Sequence, residues 1–296
     1  MHFALTEEQS AIQETALTFA RERIAPYAAK WDEESHFPVD VIRETAELGM
    51  AAIYVAAEKG GSGLSRLDGA LIFEALAYGC PAISSYISIH NMVAWMVGQY
   101  GTDEQIAAWM PKLASMEWLA SYCLTEPGAG SDAAAITTRA ERKGDRYILN
   151  GTKQFISGAG ASDFYFIFAR TGGEGASGIS AFVVFKNTPG LSFGANERKM
   201  GWNAQPTRQV IMENVEVPAF HLVGGVEGNG FKYAMSGLDG GRINIGACSL
   251  GAAWAALDKA RDYMHERKAF GRHIADFQAL QFKIADMATD LEAARL

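Results

Sequence analysis

Tyr122-Cys-Leu-Thr-Glu-Pro-Gly-Ala-Gly-Ser-Asp132 divides this chain, with helical periodicity before it and alternation after it. Tyr122, Cys123, Leu124 and Thr125 favour extended structure, and Pro127 fixes φ and removes a donor. Gly128 and Gly130 are able to take positive φ, so their amides are expected to converge on an anion. Ser131 adds a hydroxyl donor, and Asp132 is suited to closing the loop on its own backbone. These residues fit either a phosphate-binding loop or an ordinary surface turn. They do not fit a dinucleotide fingerprint, because Ala133 replaces the third glycine and a β-rich stretch follows where a helix should.

Upstream, Thr6-Glu-Glu-Gln9 and Thr102-Asp-Glu-Gln105 are capping boxes that open helices. Pro26 should break the first helix and Pro111 the second. Stretches near 38–48, 66–79 and 84–99 also carry helical spacing, and Gly60-Gly-Ser-Gly63 is a flexible loop.

Downstream, β-rich runs cover 136–143, 147–149, 153–156, 164–169, 179–185 and 209–212. Asn150-Gly151 is the strongest short hairpin signal among them. Such spacing predicts an antiparallel barrel or sandwich. Helical spacing returns over Phe231 to Arg267, where Gly237, Gly240, Gly241, Gly246 and Gly251 imply close approach of a ligand or of another helix. Arg267-Lys-Ala-Phe-Gly-Arg272 is a basic turn. A last helix then carries an apolar stripe from Phe277 to Ala294 and reaches Leu296 still amphipathic, so further chain is expected to cover it. The fold class is α+β, with an N-terminal α-helical domain (1–117), a middle β domain (118–227) and a C-terminal α-helical domain (228–296).

Composition narrows the function. The formal charge of −8, from 26 basic against 34 acidic residues, argues against nucleic acid as a partner. Cys80, Cys123 and Cys248 form no CxxC spacing, so neither a disulfide framework nor a zinc site is expected, and a reducing compartment is. His2, His36, His90, His221, His265 and His273 form no HExxH pair, and no metal is expected. There is no leader-like amino terminus and no apolar run approaching ~20 residues. A soluble chain without membrane insertion is expected.

The order of helical, β and helical domains, with these motifs in place, resembles the acyl-CoA dehydrogenase family over the whole chain. The resemblance implies FAD as cofactor, with Tyr122, Cys123, Leu124, Thr125, Gly130 and Ser131 along it and Ser131 also near the acyl-CoA. It places Phe155, Ile156 and Ser157 on the other flavin face, with Ser157 bonding near flavin N5. Arg267, Phe270, Phe277 and Gln278 match a segment that reaches FAD across a subunit interface, in what is usually a homotetramer. Asp239, Gly240, Gly241 and Arg242 match the helix bordering the thioester, with the glycines leaving room for substrate. On residues alone, Phe155 also fits core packing, and Asp239 with Arg242 a local ion pair.

The implied chemistry is α-proton abstraction coupled to hydride transfer from the β-carbon, giving a 2-enoyl-CoA, with electrons passed to an electron-transfer flavoprotein. Gly241 stands where one branch keeps its base, and other branches place it in later helices, so the base is expected beyond Leu296. Glu126 is not its counterpart. Gly201–Arg208 and Gly240–Ala253 resemble the branch acting on a short branched acyl-CoA, isobutyryl-CoA favoured. An oxygen-using flavoenzyme of the same fold, acyl-CoA oxidase or flavin monooxygenase, is the alternative, and a non-catalytic flavin-fold binding protein is another. The compartment implied is the cytoplasm of a bacterium or a mitochondrial matrix.

Overall fold

The computed structural model describes residues 3–296, and His2 lies outside them. Both capping boxes form, with the Thr6 and Thr102 side chains accepting from Gln9 and Gln105. They open α1 (Glu7–Phe19) and, after α2 (Ala28–Glu33), α3 (Val39–Glu47), α4 (Arg66–Gly79) and α5 (Pro81–Tyr100), open α6 (Asp103–Ala114). α1 continues into a π-helical turn, Ala20–Ile24, just ahead of Pro26. Pro111 does not end α6. The helix runs through it to Ala114, because Ala107, whose carbonyl loses its partner, is exposed to water.

The strands are β1 (Ala120–Cys123), β2 (Arg139–Lys143), β3 (Arg146–Ser157), β4 (Phe164–Arg170), β5 (Ile179–Phe185), β6 (Leu191–Phe193) and β7 (Thr207–Pro218). They form one seven-stranded sheet in the order β1-β4-β2-β3-β7-β6, with β5 on the other edge of β4. Most pairings are antiparallel, as expected, but β1 runs parallel to β4 from Ala120↔Phe164 to Cys123↔Ile167, and β2 meets β4 in parallel at Arg139↔Arg170. Both lie along one edge of β4, so the chain leaves that edge after Cys123 and rejoins it at Arg139.

Asn150-Gly151 is not a hairpin turn. Gly144 and Asp145 make the β2–β3 turn, and Asn150-Gly151 runs on inside β3 opposite a bulge in β7, where Glu213 and Asn214 together face Asn150. Gly151 has φ +147°, and a Cβ there would strike Thr138.

β4 is buried on both faces, which explains its unbroken apolar run. Phe164, Phe166 and Phe168 pack with Trp109, Met110, Leu113, Val93 and Val97 of α5 and α6. Tyr165, Ile167 and Ala169 face a second core with Tyr147, Leu149, Val210 and Val217. The Tyr165 ring lies 5.2 Å from Phe193 of β6, the far strand in the order, so the sheet curls back on itself.

Beyond the sheet lie α7 (Gly230–Glu266), β8 (Lys268–Ala269), β9 (Arg272–His273) and α8 (Gln278–Arg295). The basic turn is a small β8–β9 hairpin whose central residues, Phe270 and Gly271, both have positive φ, as a type I′ turn requires. Two compact units result, and they do not follow chain order: one contains residues up to Ala29 with Leu67–Ser85 and Ile243–Leu296, the other Lys30–Arg66 and Tyr86–Arg242. In the first, Gly251 of α7 is required by helix packing, since a Cβ would strike the Glu74 carbonyl. No helix among the described residues is long and apolar enough to cross a membrane, and no group of three or more His, Cys, Asp or Glu among them could hold a metal ion.

Candidate active site

The 124–138 excursion is tied shut at its neck. The Lys153 ammonium, fully buried on β3, donates to the Leu124 carbonyl at 3.0 Å and to Glu126 Oε1 at 2.8 Å. Glu126 also accepts from the Thr137 amide at 2.6 Å, its hydroxyl at 2.9 Å and the Thr138 amide at 3.0 Å. The Gln154 amide adds a bond to the Thr125 carbonyl at 2.8 Å. Burial alone would raise the Glu126 carboxyl, but the Lys153 charge and these bonds hold it down to about 2. Glu126 is therefore an ionised anchor whose oxygens are already committed, which bars it from acting as a base.

The start of β1 is fixed by a second buried group. His90 Nδ1 accepts from the Ala120 amide at 3.1 Å, so Nε2 carries the proton and donates to the Leu113 carbonyl at 2.9 Å. Burial holds this imidazole down to about 4.

Beyond the neck, the loop is open. Pro127, Gly128, Gly130, Ser131 and Asp132 are exposed. Neither Gly128 nor Gly130 uses positive φ, so the expected reason for these glycines does not hold. A Cβ on either would meet no protein atom within 4 Å. The glycines thus leave free approach to the loop backbone, which suits a large flat ligand.

Beside the neck, a bulge in β3 between Lys153 and Ile156 turns Phe155 outward. Phe155 has φ +59° and is 61% exposed, two unfavourable conditions for a phenylalanine. Core packing is excluded, and the ring presents a strained, exposed apolar face beside the loop. Ile156 points back into the second core. Ser157 is held through its carbonyl by the Ser121 hydroxyl at 2.6 Å, and its own hydroxyl receives Gln205 Nε2 at 3.4 Å. Cys123 is buried in the second core, which raises its thiol pKa despite Lys153 nearby, so only its backbone is available to a ligand.

Tyr122 donates to the Ala234 carbonyl of α7 at 3.3 Å and so brings the loop and the first turns of α7 together. One turn on, Asp239 and Arg242 form a local pair at 3.4 Å with both side chains about three-quarters exposed, as the residues alone allowed. The room expected at Gly240 is taken by the Arg66 guanidinium, which a Cβ there would strike, and which lies over the Tyr54 and Trp95 rings at 3.9 and 4.5 Å. At Gly241 a Cβ would lie 3.3 Å from the Met92 sulfur. Arg267, Phe270, Phe277 and Gln278 belong to the other unit. There Phe270 is 95% exposed at the hairpin tip and its ring lies 6.1 Å from Phe277.

Lys153, Glu126, His90, Arg66 and Gln205 act here in ways the sequence reading missed. Lys153 alone left a signal, since it shares strand parity with the inward-facing Tyr147 and Leu149.

This chain matches models for the acyl-CoA dehydrogenase N-terminal domain over residues 6–117, the middle domain over 121–215 and the C-terminal domain over 228–296. It is 56% identical over 293 residues to the mitochondrial isobutyryl-CoA dehydrogenase of Dictyostelium discoideum, covering 99% of this chain and 70% of that protein. Butyryl-CoA dehydrogenase from Megasphaera elsdenii superposes with a TM-score of 0.95 at 37% identity, covering 100% of this chain and 78% of that one. A glutaryl-CoA dehydrogenase from Mycobacterium smegmatis, solved in complex with FADH2, superposes at 0.92 with 29% identity, covering 98% and 74%. The chain belongs to the acyl-CoA dehydrogenase family, oxidoreductases acting on CH–CH bonds.

Proposed function

We propose that this chain binds FAD between the 124–132 loop and Phe155–Ser157 and oxidises a short branched acyl-CoA, isobutyryl-CoA by preference, to its 2-enoyl-CoA. The observation that carries the FAD reading is the exposed, strained Phe155 beside a loop whose open glycines meet no protein atom. Bound there, FAD would supply a hydride acceptor. Phe155 would offer its ring face to the flavin, Ser157 its hydroxyl, and Gly130 and Ser131 a backbone free to approach a diphosphate. The buried neck keeps that surface fixed. Asp239 and Arg242, exposed on α7, would meet the acyl-CoA, and Ser131 would lie near both ligands.

The substrate choice rests on the 56% identity to isobutyryl-CoA dehydrogenase, because one methylene in a pocket is worth only ~1–3 kcal/mol. Family membership also supports a wider proposal: domains at 1–117, 118–227 and 228–296, a homotetramer in which Arg267, Phe270, Phe277 and Gln278 would reach a neighbour's FAD, and an electron-transfer flavoprotein as acceptor. No base is assigned within this chain.

Purified protein should carry the yellow absorption of bound flavin, and isobutyryl-CoA should bleach it anaerobically faster than butyryl-CoA does. Faster bleaching by butyryl-CoA would reject the substrate, and a colourless protein that takes up no added FAD would reject the cofactor.

A further inference from the structure

Gln205 is buried, with 5% of its surface exposed, on the segment leading into β7. Its backbone is held: Lys199 Nζ donates to the carbonyls of Gln205 and Trp202, both at 2.7 Å, and the Asn203 amide donates to Asp32 at 2.7 Å. Its side chain is different. Nε2 points at the Ser157 hydroxyl from 3.4 Å, and Oε1 is buried with no hydrogen-bond partner. Turning the amide by 180° would exchange these groups, giving Ser157 an acceptor and leaving the NH2 unpaired instead. Each orientation leaves one amide end unpaired, so a bond made or lost at Ser157 decides between them.

Ser157 has one proton and is partly exposed on its other side. If Gln205 donates to it, its O–H points outward to an acceptor. If Gln205 accepts its proton, its lone pair faces outward to a donor.

We propose that Gln205 is a positioning residue that sets the hydrogen-bond polarity of Ser157 to match the redox state of the flavin, an inference that rests on the FAD reading above. With FAD bound, the substrate's β-hydrogen would pass with its electron pair to N5 while the α-proton left to a base, so that substrate would be oxidised and flavin reduced by two electrons. N5 would then accept a hydrogen bond before the transfer and donate one after it, and Ser157 would have to reverse to stay bonded in both states. Gln205 permits the reversal because it offers a donor at one end and an acceptor at the other.

Removing the amide harms the two states unequally. With Gln205→Met, Ser157 still donates outward to an acceptor and loses only a bond to its lone pair. In that variant the inward direction offers the Ser157 proton no acceptor, so the hydroxyl keeps pointing outward and loses its bond to a donor on that side. The reduced state should therefore be disfavoured.

The test is spectroelectrochemistry of the FAD-loaded protein. Q205M should lower the two-electron reduction equilibrium constant roughly tenfold, about 30 mV in midpoint potential. In an S157A background the same substitution should produce no further change. Gln205→Glu keeps both a donor and an acceptor when protonated, so its deviation from the unaltered protein should shrink as pH falls, and this variant answers the question if Q205M does not fold. A shift in S157A without one in Q205M, or a Q205M shift that persists in S157A, would overturn the role of Gln205. An unchanged potential in S157A would instead reject the placement of Ser157 at the flavin, and failure of the unaltered protein to take up FAD would reject the parent reading.

Discussion

The neck of the loop that leaves β1, closed by β3, and the turn of α7 around Asp239 each hold a pair of opposite charges, and the two pairs are built to opposite ends. Lys153 and Glu126 are buried and, besides their bond to each other, are bonded to four backbone or side-chain groups. Asp239 and Arg242 stand in water, three residues apart on one helix. The first pair fixes a surface, because neither charge has an alternative partner. The second leaves both side chains free to turn to an arriving ligand, since an exposed pair is worth little by itself. Rigidity lies under the 124–132 loop and adaptability on α7.

The contrast breaks most visibly at Glu126. Glu126→Ala leaves a buried ammonium unpaired and should lower unfolding free energy by about 3–5 kcal/mol in a urea titration. A loss below ~1 kcal/mol would show that water reaches Lys153 and that the neck is not a buried anchor.

Acid should loosen the same region in two stages. Folded His90 titrates near 4, below its ordinary 6.5, so the unfolded chain binds the proton first. The stability His90 contributes is full above pH 6.5 and is lost as pH falls toward 4, by about 3 kcal/mol. Glu126, held near 2 against an ordinary 4.5, adds a second loss between those values. Melting temperature against pH should show the first fall in the unaltered protein and a flatter profile in His90→Asn; an unchanged slope would remove His90 as its source.

Phe155→Gly sharpens the difference between stability and binding. Glycine tolerates φ +59°, so the variant should gain about 1 kcal/mol in denaturation while its FAD affinity falls. A gain in stability with unchanged FAD affinity would mean that the ring does not touch the flavin. The smallest effect belongs to the exposed pair: Asp239→Ala should change stability by less than ~0.5 kcal/mol, and a larger change would mean that the pair is structural after all.

Much of the fold was legible before any coordinate. Capping boxes, helical spacing and alternation are local consequences of hydrogen-bond closure and side-chain period, and they placed α1, α6 and most strands correctly. The loop and Phe155–Ser157 were also visible as distinct segments. Asn150-Gly151 misled because the bulge it faces, and the glycine it needs against Thr138, are set by strands distant in sequence, and Pro111 misled because a helix bends its rule where the freed carbonyl reaches water.

What the sequence determined by itself was the order of elements and the residue types offered to a ligand, since both depend on neighbours a few positions apart. Only the tertiary structure decided which of those residues were free to be used. Glu126 was claimed by Lys153, 27 positions away, and the space at Gly240 by Arg66. Phe155 was forced outward by a register shift against β7, and Gln205 was set beside Ser157 by strand pairing across 48 positions. Each outcome depends on long-range pairing that burial rewards and that no local pattern encodes.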